Sequence, residues 1–189
     1  NPAMGYRAIR ICLKEPHIFR AQLRALLRAS VYGNLNVMFP MISRLEQVRQ
    51  IKEIIAGLKA ELDAEGIAYS DSIQFGIMVE TPAAAVMSDV LAKEVDFFSL
   101  GTNDLTQYTM AVDRMNARVS DLFDSADPAI LRLIELTAKN AHDAGIWVGI
   151  CGESAANTAL TDFYMSVGID ELSVSPSSVA AVKRAVLES

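Results

Sequence analysis

The sequence predicts an α/β fold on a parallel sheet, and three observations carry that expectation. Short, nearly continuous apolar segments bounded by turn residues recur along the chain, as expected of strands buried on both faces. Amphipathic stretches with apolar residues at three- and four-residue intervals lie between them. Strands alternating with helices in this way read as successive β-α-β units. With 189 residues and 51% hydrophobic content, the chain can bury one substantial core, so a single domain over residues 1–189 is expected.

The elements follow in order. Residues 7–12 are a candidate extra strand. Over residues 16–32, Ile18, Phe19, Leu23, Leu26, Leu27 and Val31 recur at helical spacing with basic residues between them, and Gly33 ends the run. Residues 35–42 read as a buried strand. Ser43 then offers an N-cap with Glu46 three residues on, and Leu45, Val48, Ile51, Ile54, Leu58 and Leu62 mark a long helix that Gly66 closes. Residues 73–79 form the next strand, the Ala-rich 82–94 a helix, 95–100 a strand and 103–112 a short helix. A polar loop over 116–127 leads to a helix at 128–144, a strand at 146–151, a helix at 159–167, a strand at 171–174 and a last helix at 177–187. Five clear strands result, or six with residues 7–12. Periodicity alone leaves both a (β/α)₈ barrel and an open doubly wound sheet in play. No Gly-x-Gly-x-x-Gly follows any strand, so a dinucleotide crevice has no support.

Composition narrows the partners. The net charge is -6 and no Lys/Arg block stands out, which argues against a nucleic-acid track. No apolar run approaches the roughly 18–20 residues of a membrane span, and the N-terminus lacks the basic-then-apolar pattern of a signal peptide. A cytoplasmic protein is expected. Cys12 and Cys151 lie far apart in unlike contexts, so reduced thiols are expected and not a disulfide framework.

Polar residues gather where the strands end. Glu80 follows Ile-Met-Val, Asn103 and Asp104 follow Ser-Leu-Gly-Thr, and Cys151 and Glu153 follow Val-Gly-Ile. In parallel α/β folds the carboxyl ends of strands are where ligands bind. Two carboxylates brought together repel unless a cation or proton lies between them, and oxygen ligands without histidine suit Mg²⁺ better than zinc. Glu80 and Asp104 are therefore the metal candidates. Their plainer roles are a helix cap before Thr81-Pro82 and a first-turn acid. Arg7 and Arg114 are candidates for gripping an anionic substrate, against the ordinary fate of a solvated arginine. Cys151 is a candidate proton donor or nucleophile, with core packing as its plainer role and as the expectation for Cys12. His17 and His142 have surface or helix-end roles.

At this point the residues resemble a known family. Met38-Phe-Pro-Met-Ile42, Met78-Val-Glu-Thr-Pro-Ala83, the run from Asp96 to Thr109, Ala111-Val-Asp-Arg114 and Cys151-Gly-Glu153 are similar to the C-terminal domain of enzyme I, the phosphoenolpyruvate-protein phosphotransferases of bacterial sugar uptake. The resemblance runs over essentially the whole chain. It implies a (β/α)₈ barrel that binds phosphoenolpyruvate, with Glu80 and Asp104 as Mg²⁺ ligands. It further implies that Arg7, Asn103 and Arg114 bind the phosphate and that Cys151 protonates the enolate carbon. The implied partners are an N-terminal phosphohistidine domain, a downstream phosphocarrier protein and a second copy in a homodimer.

Met115 stands where the family commonly has Gly, and Ser154-Ala-Ala-Asn157 where a Gly-Asp pair is frequent; both bear on loop shape. Glu171-Leu-Ser-Val-Ser-Pro176 is also similar to fused multiphosphoryl transfer proteins. Neither His17 nor His142 matches the family's phosphoacceptor motif, and five or six strands do not close an eight-stranded barrel. A fragment of a longer chain, unable to complete the reaction alone, is therefore expected. The alternatives are a non-catalytic metabolite-sensing or docking barrel, and a dikinase-type module, which would need a nucleotide-binding domain.

Overall fold

The computed structural model describes residues 1–189. Five strands, β1 (Asn36–Phe39), β2 (Gln74–Val79), β3 (Phe97–Gly101), β4 (Trp147–Cys151) and β5 (Glu171–Leu172), form one sheet in which neighbours follow chain order. Every pairing is parallel. Right-handed crossovers between strands added always on the same side place every connecting helix on one face of the sheet. A doubly wound sheet needs a reversal of strand order, and none occurs here. The strands at the two edges, β1 and β5, each have one neighbour, so the sheet is open.

Alternation along each strand sorts side chains between two unlike faces. Val37, Phe39, Ile77, Val79, Phe98, Leu100, Val148 and Ile150 point toward the helices and join one continuous core. That core includes Val48, Ile51, Ile55, Leu58 and Leu62 of α3 (Leu45–Ala64) and Ile130, Ile134, Ala138 and Ala141 of α7 (Pro128–Asp143). On the other face Met38, Met78, Ser99, Trp147 and Cys151 are only half-buried. Phe97 on this face is buried, so the expected burial on both faces holds there and not for the sheet as a whole. Phe97 stacks on Trp147 with ring centroids 4.4 Å apart, and Trp147 Nε1 donates to Gln74 Oε1 at 3.1 Å. Gly76 leaves room for the Phe97 ring, which a Cβ there would meet at 2.5 Å.

Several local expectations also change. Residues 7–12 form no strand; α1 (Ile9–Lys14) begins there, because Ile9, Cys12 and Leu13 meet the core at helical spacing. The first helical run is α2 (Pro16–Ala29) followed by a short 3-10 turn, Ser30–Tyr32. Ser43 does not cap α3: Gln47 Oε1 accepts the backbone N–H groups of Ser43 at 2.9 Å and Arg44 at 3.1 Å, while Glu46 is exposed. The 82–94 helix is broken into α4 (Pro82–Val86), α5 (Ser88–Leu91) and a 3-10 turn, Ala92–Glu94. At the break the buried Ser88 hydroxyl donates to Ala85 O at 2.7 Å and accepts from Asn140 Nδ2 at 2.8 Å, which diverts the backbone from a straight helix. The remaining helices are α6 (Thr102–Thr109), α8 (Thr161–Ser166) and α9 (Val179–Glu188). No helix is long and apolar enough to cross a membrane.

Candidate active site

The carboxyl ends of β2, β3 and β4 lie side by side, and the chain leaves each by a sharp turn that holds a polar residue over the strand tip. Glu80, one residue beyond β2, is 4% exposed, and its Oε1 accepts the Met41 backbone N–H at 2.6 Å. Met41 reaches it by adopting φ 60°, a strained value for a residue with a side chain. The cap of α4 is Thr81, whose Oγ1 accepts from Ala84 N–H at 3.1 Å and donates to Ile42 O at 2.8 Å, so Glu80 has no capping task.

Asp104 sits in the first turn of α6 and is 8% exposed. Its Oδ2 pairs with Arg7 Nη2 at 3.2 Å. The other end of the guanidinium, Nη1, donates to the Tyr108 hydroxyl at 3.2 Å and to Ala3 O at 3.4 Å, and Tyr108 in turn donates to Ala3 O. Burial is the main cause that lifts the Glu80 carboxyl to about 7; the Met41 N–H opposes it and the charge of Asp104 adds to it. Burial also lifts the Tyr108 hydroxyl, with Asp104 adding. For Arg7 burial works against the charge, but Asp104, Tyr108 and Glu80 outweigh it and raise its pKa.

Two nearly buried carboxylates at neighbouring strand tips, with the Glu80 carboxyl raised by burial, form a set of hard oxygen donors. Mg²⁺ commonly takes one or two protein carboxylates and completes its shell with water and substrate phosphate, so Glu80 and Asp104 fit it.

Cys151 ends β4 opposite Gly101. Its thiol donates to Leu100 O at 3.4 Å and accepts from the Ser99 hydroxyl at 3.6 Å. Burial pushes the thiol pKa up; Ser99 opposes this, and the charges of Glu80 and Glu171 add to it. A thiol in these surroundings keeps its proton at neutral pH, which suits a donor of protons better than a ready nucleophile.

The tips of β3 and β4 are tied together at Gly152, which has φ 100°. Thr102 Oγ1 donates to Cys151 O at 2.8 Å and accepts from Ser154 Oγ at 2.7 Å, while Asn103 Oδ1 accepts from Glu153 N–H at 3.1 Å. Ser154-Ala-Ala-Asn157 is thus a short turn docked onto Thr102.

Asn103 and Arg114 line an adjoining cavity of about 390 Å³ with Met115, Ser120, Phe123 and Glu153, so the 116–127 loop lies beside the site. Met115 is 85% exposed on its rim. The structure therefore brings together Arg7, Glu80 and Asp104, puts Cys151 on the next strand within the field of Glu80, and leaves the Arg114 guanidinium without an ion pair to either acid.

Four participants escaped the sequence reading: Met41, Ser99, Thr102 and Tyr108. Tyr108 carried a usable signal, since it lies four residues after Asp104 and so shares its helical face. Met41 carried none, because its part is played by backbone N–H and an unusual φ.

The whole chain, residues 1–189, matches the family model described as PEP-utilising enzyme, PEP-binding domain. The chain belongs to this family. It is 54% identical over 179 residues to the phosphoenolpyruvate-protein phosphotransferases of Priestia megaterium and Listeria monocytogenes, and 55% identical to that of Bacillus subtilis. Each alignment covers 95% of this chain and 31% of the relative, so the chain spans about a third of the length of these relatives. In fold it is similar to a citrate lyase from Burkholderia xenovorans, with TM-score 0.63, 20% identity, and coverage of 88% of this chain and 53% of that one. A second likeness is to an aldolase/citrate lyase family protein from Burkholderia cenocepacia, with TM-score 0.56, 17% identity, and coverage of 87% and 68%. At such identity the likeness is one of fold, and it is to the TIM-barrel-like aldolase/citrate lyase architecture.

Proposed function

We propose that residues 1–189 are a single phosphoenolpyruvate-binding barrel domain that works in phosphoryl transfer to a histidine of an N-terminal domain. That domain then passes the group to a phosphocarrier protein in cytoplasmic sugar uptake. The observation that carries this reading is the buried Glu80–Asp104 pair at adjacent strand tips, with Arg7 on one acid and a proton-bearing thiol on the next strand. The relatives' shared name, phosphoenolpyruvate-protein phosphotransferase, supports the same chemistry. Chain-order strand pairing, an open face opposite the helices and the likeness to barrel folds support reading the five strands as part of a (β/α)₈ barrel.

In this reading Glu80 and Asp104 hold Mg²⁺, which when bound offsets negative charge on the phosphate and on the leaving enolate. Arg7, Asn103 and Arg114 hold the phosphate. The imidazole nitrogen forms its bond to phosphorus as the bond from phosphorus to the enol oxygen breaks, and the electron pair stays with the enolate. Cys151 gives its proton to the terminal carbon as the carbonyl forms, leaving pyruvate and a thiolate. The dimer expected from the resemblance belongs to the same proposal.

Calorimetric titration of phosphoenolpyruvate with and without Mg²⁺ tests the binding half, and affinity that ignores Mg²⁺ would sink it. Cys151→Ala, in a protein that also carries the histidine domain, tests the chemistry. Transfer should collapse while substrate still binds; unchanged transfer would remove Cys151 from the chemistry, and binding with no transfer even by the unsubstituted protein would favour a sensing or docking domain.

A further inference from the structure

Resting on the reading that Glu80 and Asp104 hold a divalent cation, we propose that Arg7 is the resident counter-ion of this pair, fixed there by Tyr108. Arg7 would oppose a cation on Asp104 by charge, so that loosening its hold on Asp104 favours the cation and also frees the guanidinium for the substrate's anionic group.

The argument begins with charge. Glu80 and Asp104 are both nearly buried, and two like charges in a low-dielectric site are costly without a counter-charge. Asp104 has one ion pair, to Arg7. The nearby Arg10 is engaged elsewhere, donating to the carbonyls of Met4 and Gly5 at 2.9 Å each. Arg7 is therefore the side-chain cation that compensates the acids.

Its placement is built. The guanidinium spans three acceptors, Asp104 Oδ2, the Tyr108 hydroxyl and Ala3 O, and Tyr108 closes the set by donating to the same Ala3 carbonyl. Tyr108 and Asp104 lie four residues apart on α6, so one helical face presents the carboxylate and the hydroxyl together. The next residue, Ala8, takes φ 50° and ψ -131°, a strained turn that aims Arg7 back across the site. A cation on Asp104 would lie beside the guanidinium that already sits on Oδ2, and two positive charges on one carboxylate repel; with 39% of its side chain exposed Arg7 has open space to move into. The covalent link through Ala8 to α1 keeps the displaced group beside the site.

Cation and guanidinium thus compete for one carboxylate, while cation and anion assist each other, because the first releases the arginine that the second uses.

Mn²⁺ serves as the probe, followed by electron paramagnetic resonance of the free ion in the whole protein without phosphoenolpyruvate. Arg7→Gln is expected to bind Mn²⁺ roughly 3- to 10-fold tighter, the range for releasing a partly exposed ion pair with charge-assisted hydrogen bonds. At saturating Mn²⁺ the same variant should bind phosphoenolpyruvate more weakly. A role in folding alone does not give these opposite signs. Tyr108→Phe should tighten Mn²⁺ by about 2-fold through a less firmly held Arg7. If Arg7→Gln does not fold, Arg7→Lys keeps the charge but loses the fork across Asp104 and Tyr108, and is also expected to tighten Mn²⁺. Equal or weaker Mn²⁺ binding by the folded arginine variants overturns the proposal. Asp104→Asn separates the two ideas. If it leaves Mn²⁺ binding intact, the cation site itself is misassigned; if it abolishes binding and the Arg7 variants show no gain, only the competition fails.

Discussion

Replacing Gly152 with Ala tests the architecture of the strand tips directly. Gly152 has φ 100° and ψ -179°, a backbone region open essentially to glycine alone, and forcing alanine there costs about 1–3 kcal/mol. The added Cβ would lie 2.5 Å from Thr102 Oγ1 and 3.1 Å from Asn103 Oδ1. To relieve the first contact Thr102 must give up one of its bonds, to Cys151 O or from Ser154 Oγ, for about another 1 kcal/mol. Together the loss is about 2–4 kcal/mol. Urea unfolding followed by far-ultraviolet circular dichroism measures it as a lower midpoint at constant slope. Thr102→Ala removes the clashing atom, so Gly152→Ala should cost less in that background, by about 1 kcal/mol in a double-mutant cycle. A loss under about 1 kcal/mol, or additive effects of the two substitutions, would refute the account of how β3 and β4 are joined.

Two further outcomes are expected. Glu80→Gln keeps an acceptor for the Met41 N–H and removes one of two opposed acids, so without metal it should melt at or above the wild-type temperature near neutral pH. Mg²⁺ should stabilise the wild type and not the variant; equal stabilisation of both would remove Glu80 from the cation site. Ser99→Ala removes the hydroxyl that donates to the Cys151 sulfur, so iodoacetamide labelling of Cys151 should slow further in a Cys12→Ser background. Since burial already holds the thiol pKa above its ordinary value, labelling should be slow around pH 7, rise only above the usual thiol range near about 8.5, and shift to still higher pH in Ser99→Ala. Unchanged profiles would mean that Ser99 does not act on the sulfur.

The alternation of strands and helices was legible because each element carries its own period, and all five strands lie where the apolar segments are. Their edges were less so. Pro40 and the unusual φ of Met41 cut β1 short inside a segment that is apolar to Ile42. Residues 7–12 read as a strand because Ile9, Ile11 and Cys12 are apolar in close succession, yet they have no neighbouring strand and Ile9 alone is buried. The break at Met87 depends on a distant residue, since it is Asn140 on α7 that satisfies the Ser88 hydroxyl. Half-burial of the second sheet face was hidden for a similar reason: Met38, Met78 and Trp147 are as apolar as their neighbours, and only topology assigns them a side without helices.

The site divides in the same way. Glu80, Asp104 and Cys151 stood out because a polar or reactive residue at the end of an apolar strand, or within a few residues of it, marks its tip. The contact between Arg7 and Asp104 joins residues 97 positions apart, and no local pattern encodes such a pairing. Ser99 lay hidden inside an apolar strand, where its hydroxyl has meaning only once β4 is placed beside β3.

The Phe97–Trp147 stack supplies a built-in optical reporter. Trp147 is the chain's single tryptophan, it lies half-buried on the helix-free face, and its indole N–H is tied to Gln74. Its emission therefore comes from one known place, and any polypeptide or small molecule that settles over that surface will move the indole into a drier environment and shift its fluorescence to the blue. Coverage of this part of the molecule can be followed in solution without attaching a dye.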